Sequence, residues 1–214
     1  MTIDEGGGHT RFHYALLTNA SDFGLEVLRK LLEHGYPPEL VILPEYPPAP
    51  EITQLELGIE TATISRHRVL NLEPSLELGY APSAWQQQCG SLLRQRGIDF
   101  ILVACWPYLI DAVLIESASS AALNLHPSML PRYRGPDPLA LQLADGNRRF
   151  GVSLHLLSQR FDRGDIVLQS QLDEVCAEPD REWLQNSCAQ LGCSLFIEAL
   201  NSYDAGWNLT RQDD

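Results

Sequence analysis

Asn124 and His126 stand two residues apart at the end of an apolar run, Ala121-Ala-Leu-Asn-Leu125. In extended backbone alternate side chains share a face, so the amide and the imidazole project to the same side of a sheet. Pro127 has no N–H and takes the chain out of the ladder, leaving both groups at a strand's carboxyl end, where α/β sheets place their ligands. A third group, Asp162, sits in Phe161-Asp-Arg-Gly-Asp-Ile166, where Gly164 permits a turn that presents the carboxylate from a loop. Together the three can stabilise an oxyanion with donated hydrogen bonds, orient and charge the imidazole, and relay a proton. Taken singly, each has an ordinary reading: a satisfied polar group for Asn124 or His126, a turn former for Asp162.

The elements that must position these groups follow from the apolar pattern. Buried strands are expected at 13–17, 39–43, 99–105 and 121–125, and extended segments at 152–157 and 165–172. Between the first two strands, Leu25, Leu28, Leu31 and Leu32 recur with helical spacing after a cap at Ser21 or Asp22, and Gly35 supplies a stop. Helical spacing returns over 84–96 and 138–144. It appears again from 180 to about 205, where Gly192 suggests a break. Residues 44–82 are interrupted by prolines and are expected to hold loops with short elements. Alternation of strand and helix gives the fold class: α/β, a Rossmann-like, doubly wound, mostly parallel sheet flanked by helices. Residues 1–11 are expected to be a flexible leader, and 12–214 a single catalytic domain with no C-terminal barrel domain.

Composition narrows the field. Apolar residues make up 44% and charged residues 20%, a globular balance rather than a disordered one. No run of eighteen apolar residues occurs and the N-terminus lacks a basic start, which argues against a membrane span or signal peptide and for a cytoplasmic protein. The five cysteines form no C-x-x-C pair and read as reduced structural residues, without a disulfide framework or zinc site. Fifteen Lys and Arg against 28 Asp and Glu give a formal charge of -13, which weighs against a nucleic-acid partner or an anionic membrane. The local exception is Arg132, Arg134, Arg148, Arg149, Arg160 and Arg163, clustered in the stretch that carries the candidate catalytic groups.

Asn124-Leu-His-Pro-Ser-Met-Leu-Pro-Arg-Tyr-Arg-Gly135, Asp137-Pro-Leu, Gly151-Val-Ser-Leu-His and Phe161-Asp-Arg-Gly-Asp-Ile-Val-Leu-Gln169 resemble the formyltransferase family, which includes methionyl-tRNA and glycinamide ribonucleotide formyltransferases. Weaker similarity runs from the first strand through the terminal helix. The resemblance implies 10-formyltetrahydrofolate as formyl donor, no metal, and catalytic roles for Asn124, His126 and Asp162. An amine attacking a formamide gives a tetrahedral oxyanion, so the chemistry points to the same three residues. Ser153 is a supporting candidate on the strand beside them. For His155 a solvent-facing or structural role is expected. The pterin loops of the family correspond to Trp106, Tyr108, Leu109 and Ile110, and to Leu157, Gln159 and Phe161. Arg132 and Arg134 are candidates for holding an anionic acceptor, or for stabilising their own loop.

After the first strand, Thr18-Asn-Ala-Ser-Asp-Phe-Gly24 replaces the glycine-rich phosphate loop of the purine enzyme and is nearer to the tRNA enzyme. The long basic loop that the tRNA enzyme carries after its second strand is not recognisable. The acceptor expected is therefore a small, anionic amine. Alternatives are a methionyl-tRNA formyltransferase-like enzyme without its C-terminal domain, a 10-formyltetrahydrofolate hydrolase, and a non-catalytic folate-binding module. A dinucleotide-binding oxidoreductase is disfavoured, because the Gly-x-Gly-x-x-Gly turn is missing.

Overall fold

The computed structural model describes residues 11–19, 21–44, 69–72, 84–146 and 148–212. Among the described residues seven strands form one sheet: Tyr14–Thr18 (β1), Leu40–Pro44 (β2), Val69–Leu72 (β3), Phe100–Ala104 (β4), Ala121–His126 (β5), Gly151–Leu156 (β6) and Ile166–Gln171 (β7). Their order is β3-β2-β1-β4-β5-β6-β7. β1 to β5 are parallel; β6 pairs antiparallel with β5, and β7 antiparallel with β6, so β7 runs in the direction of β1 to β5. The chain leaves β1 toward β2 in one direction and returns to β4 in the other. That reversal creates the crevice at the strands' carboxyl ends in which doubly wound sheets bind ligands.

Every residue of β1 and β4 is buried, as expected of central strands covered on both faces. One face carries Leu16, Leu102, Leu123, Leu125, Val152 and Leu154 against the helices Asp22–Glu33 (α1) and Arg181–Ser202 (α5). The other carries Ala15, Leu17, Ile101, Val103 and Ala122 against Ala84–Gln95 (α2) and the short Ala112–Ile115 (α3). Side chains therefore alternate faces, so Asn124 and His126 share the α2/α3 face with Ala122, whereas Leu123 and Leu125 anchor β5 in the opposite core. A fifth helix, Pro138–Ala144 (α4), follows the loop beyond His126, and Pro138 opens it where the missing N–H costs no bond.

Local capping matches the expected boundaries. Ser21 accepts from the Gly24 N–H at the start of α1, and Asp180 from the Trp183 N–H at the start of α5. Gly35 and Gly97, both at positive φ, follow the ends of α1 and α2. The expected break near Gly192 is absent. α5 runs continuously over 22 residues, and a Cβ on Gly192 would lie 3.3 Å from both methyl groups of Leu125, so glycine serves the close approach of helix to sheet. α3 was not expected. β3 falls in the segment for which only short elements are expected, and the rest of 45–83 lies outside the described residues. So do residues 1–10 of the expected leader; Arg11 pairs with Asp204 and packs its guanidinium over the Phe12 ring.

Candidate active site

β5 and β6 pair so that Asn124 is opposite His155 and His126 is opposite Ser153. Four polar side chains thus stand on one face, at the edge of an apolar core. His126 and His155 are 4% and 1% exposed. Asp162 reaches them from the loop between β6 and β7, its Oδ1 lying 3.5 Å from His126 Nδ1 and 3.9 Å from His155 Nε2. Its other oxygen, Oδ2, accepts the Gly135 N–H at 2.9 Å, which ties the carboxylate to the loop that follows His126. Asp162 has φ 53, in the left-handed region that Asp tolerates better than most residues. Behind it, a Cβ on Gly164 would sit 1.8 Å from the Leu156 carbonyl oxygen, so only glycine lets the loop fold back here.

The hydrogen bonds of His126 assign its nitrogens. Nε2 lies 2.9 Å from the Tyr133 carbonyl, which can only accept, so Nε2 carries a proton and Nδ1 faces the carboxylate. Burial pushes the His126 pKa down; Asp162 and the Tyr133 carbonyl oppose it, and Arg134 adds to it. The ring is held as a base whose protonation Asp162 favours. Tyr133 itself has φ 58, and its hydroxyl donates to Asp145 at 2.5 Å. Two residues with positive φ therefore flank the same imidazole, a concentration of backbone strain common at functional sites.

A profile of the formyl transferase family matches residues 58–200. The chain belongs to the formyl transferase family. A methionyl-tRNA formyltransferase of Rickettsia massiliae (strain Mtu5) is 31% identical over 125 residues, 58% of this chain and 41% of that protein. The chain thus matches less than half the length of that relative. Glycinamide ribonucleotide transformylase 1 from Symbiobacterium toebii superposes with a TM-score of 0.69 at 20% identity, covering 94% of each chain. A sugar N-formyltransferase from Shewanella sp FDAARGOS_354 gives 0.64 at 12% identity, over 95% of this chain and 74% of that one. These two likenesses show the fold.

The other residues singled out from the sequence of this formyl transferase family member fall in three groups. Ser153 is fully buried and stitches the loop after His126: its hydroxyl donates to the Ser128 carbonyl and accepts from the Leu130 N–H and Gln169 Nε2. Trp106 and Tyr108 pack with Leu157 against the α2/α3 core, and Ile110 is buried in it. Leu109 and Phe161 are 44% and 56% exposed, and Gln159 is exposed as well. Arg134 turns inward, with Nε donating to the Asp162 carbonyl and Nη2 to Gln212, which in turn donates to the Gly164 carbonyl. Arg132 is largely exposed and reaches Tyr133 and Asp145.

Of the two roles expected for His155, solvent-facing or structural, its burial excludes the first. Its Nε2 is 3.0 Å from Asn124 Nδ2. Period two already aligned Ser153 with His155, but placing them beside Asn124 and His126 required the antiparallel pairing of β5 with β6. Gln142, which donates to the Pro127 and Pro138 carbonyls, and Gln212 gave no sequence signal at all.

Proposed function

We propose that this protein transfers a formyl group from 10-formyltetrahydrofolate to the amine of a small, anionic metabolite. One observation carries the reading: His126 Nδ1 lies 3.5 Å from Asp162 Oδ1, with Asn124 two residues back on the same face. The Trp106 Nε1–H is buried without a hydrogen-bond partner among the described residues, and Leu109 and Phe161 expose apolar surface, which fits a flat heterocycle with a polar edge. When bound, the folate supplies the formyl carbon as an amide.

This chain's residues supply the rest. Asn124 donates an N–H toward the oxygen on which negative charge develops. As the acceptor amine bonds to the formyl carbon, His126 takes the amine's proton at Nδ1 and gives it up to the folate nitrogen as its bond to that carbon breaks. Asp162 orients the ring and stabilises its charged form. The formal charge of -13 supports a small acceptor over a long polyanion, and Arg132, exposed on the loop after β5, is the side chain we assign to the acceptor's anionic group. Arg134 stabilises that loop.

An acceptor screen tests the reading: incubate with 10-formyltetrahydrofolate, follow tetrahydrofolate, and compare amino sugars, amino acids, hydroxylamines and charged initiator tRNA. Amine-dependent folate product with a small acceptor supports it. Formate release without any amine identifies a hydrolase, and tight nicotinamide dinucleotide binding without folate binding sinks the assignment.

A further inference from the structure

His155 has no part in the proton transfer described above, yet it touches the groups that perform it. Its Nδ1 lies 2.8 Å from the Leu156 carbonyl, which only accepts, so Nδ1 carries a hydrogen. A neutral ring then keeps its lone pair on Nε2, 3.0 Å from Asn124 Nδ2, which donates to it. That contact decides which way the amide faces. One N–H of Asn124 is spent on His155, and the second N–H on the same nitrogen remains for another acceptor. Were Nε2 protonated too, two donors would oppose each other and the amide would turn over, putting Oδ1 where Nδ2 had been.

We propose that His155, as its Nδ1–H tautomer, is a positioning residue that holds the Asn124 amide with an N–H toward the reacting oxygen; this rests on the formyl-transfer reading. Asp162, His126 and Arg134 are the titratable and charged groups facing the ring. Asp162 and the Leu156 carbonyl favour a charged ring, but burial opposes it most strongly, His126 and Arg134 add to the opposition, and the pKa is pushed down to about 4. One carboxylate therefore stands beside two imidazoles with different tasks. His126 changes protonation during turnover, and His155 stays neutral so that Asn124 does not turn.

Nitrogen-15 spectra of the histidine rings in the intact protein test the tautomer without turnover. We expect His155 to show a protonated Nδ1 and a bare Nε2 at pH 7; a charged ring, or a proton on Nε2, overturns the proposal. The Asn124 side-chain amide signal should lose its hydrogen-bonded shift in His155→Leu and keep it in His155→Gln, whose amide oxygen can replace Nε2 as acceptor. In the formyl-transfer assay, His155→Leu should lower kcat by roughly tenfold to a hundredfold with KM for the formyl donor nearly unchanged, and His155→Gln should recover most of it. Wild-type kcat in His155→Leu, or equal impairment of both variants, overturns the proposal. Absence of any formyl transfer in the wild type defeats the functional reading alone, since the ring and amide signals still decide the positioning role.

Discussion

Asp162 brings its Oδ1 to two imidazoles that burial keeps neutral, and this has a consequence for stability as well as chemistry. Both His126 and His155 have folded pKa values below those of an unfolded chain, so the unfolded state binds more protons as pH falls. Their stabilising neutral state is therefore complete above about pH 6.5, and is lost progressively as pH drops toward the low folded values. For His155, whose folded value is about 4, the slope approaches about 1.4 kcal/mol per pH unit between that value and the ordinary 6.5. Urea unfolding at pH 7 and pH 5 should show the loss, and His155→Gln should flatten it; an unchanged pH dependence in that variant contradicts the assignment. The cysteines give a second residue-level expectation. Burial pushes the thiols of Cys89, Cys188 and Cys193 up to about 12, so native protein at pH 8 should leave all three unalkylated by iodoacetamide, and denaturant should expose them.

Elements set the site through their ends rather than their middles. The loop between β6 and β7 carries Asp162, and Gly164 lets it fold against the Leu156 carbonyl, where a Cβ would be 1.8 Å from the oxygen. Gly164→Ala should destabilise by roughly 1–3 kcal/mol through forced backbone shifts, and should lower turnover further by moving Asp162 from His126. Thermal melts and kcat check both effects; full activity in that variant would show that the loop does not position the carboxylate. At the start of α1, Ser21→Ala removes the side-chain cap on the Gly24 N–H and should lower thermal stability by about 1 kcal/mol. The central strands, α1, α2 and α4 were legible because long apolar runs and caps are local signals. Gly192 misled for a physical reason: a glycine in a helix reads as a break, and its real cause, contact with Leu125, is a tertiary fact. The antiparallel turn of β6 and β7 was equally invisible to strand and helix alternation.

At the scale of the whole molecule, the sheet order reverses direction between β1 and β4, the kind of switch point at which doubly wound sheets bind ligands, and β5 with β6 brings four polar side chains to one face. Asn124, His126 and Asp162 could be read from the sequence because their motif is specific. His155 could not be read as their neighbour, because its partner lies 31 residues away across a strand pair. Net charge of -13 bears on the acceptor: gripping a duplex neutralises many phosphates, each worth about 0.9 in the salt slope, which requires an extended basic surface. Formylation of charged initiator tRNA should accordingly be slower than that of a small amine, and a wide margin in favour of tRNA would overturn the acceptor assignment without touching the roles proposed for Asn124, His126 and Asp162. Proton transfer by His126 is tested by measuring formyl transfer from 10-formyltetrahydrofolate, and folate affinity, in wild type and in folded His126→Ala. Turnover should fall by about a hundredfold or more in the variant while folate affinity changes little. Turnover near wild type in His126→Ala would rule out His126 as the group that moves the proton.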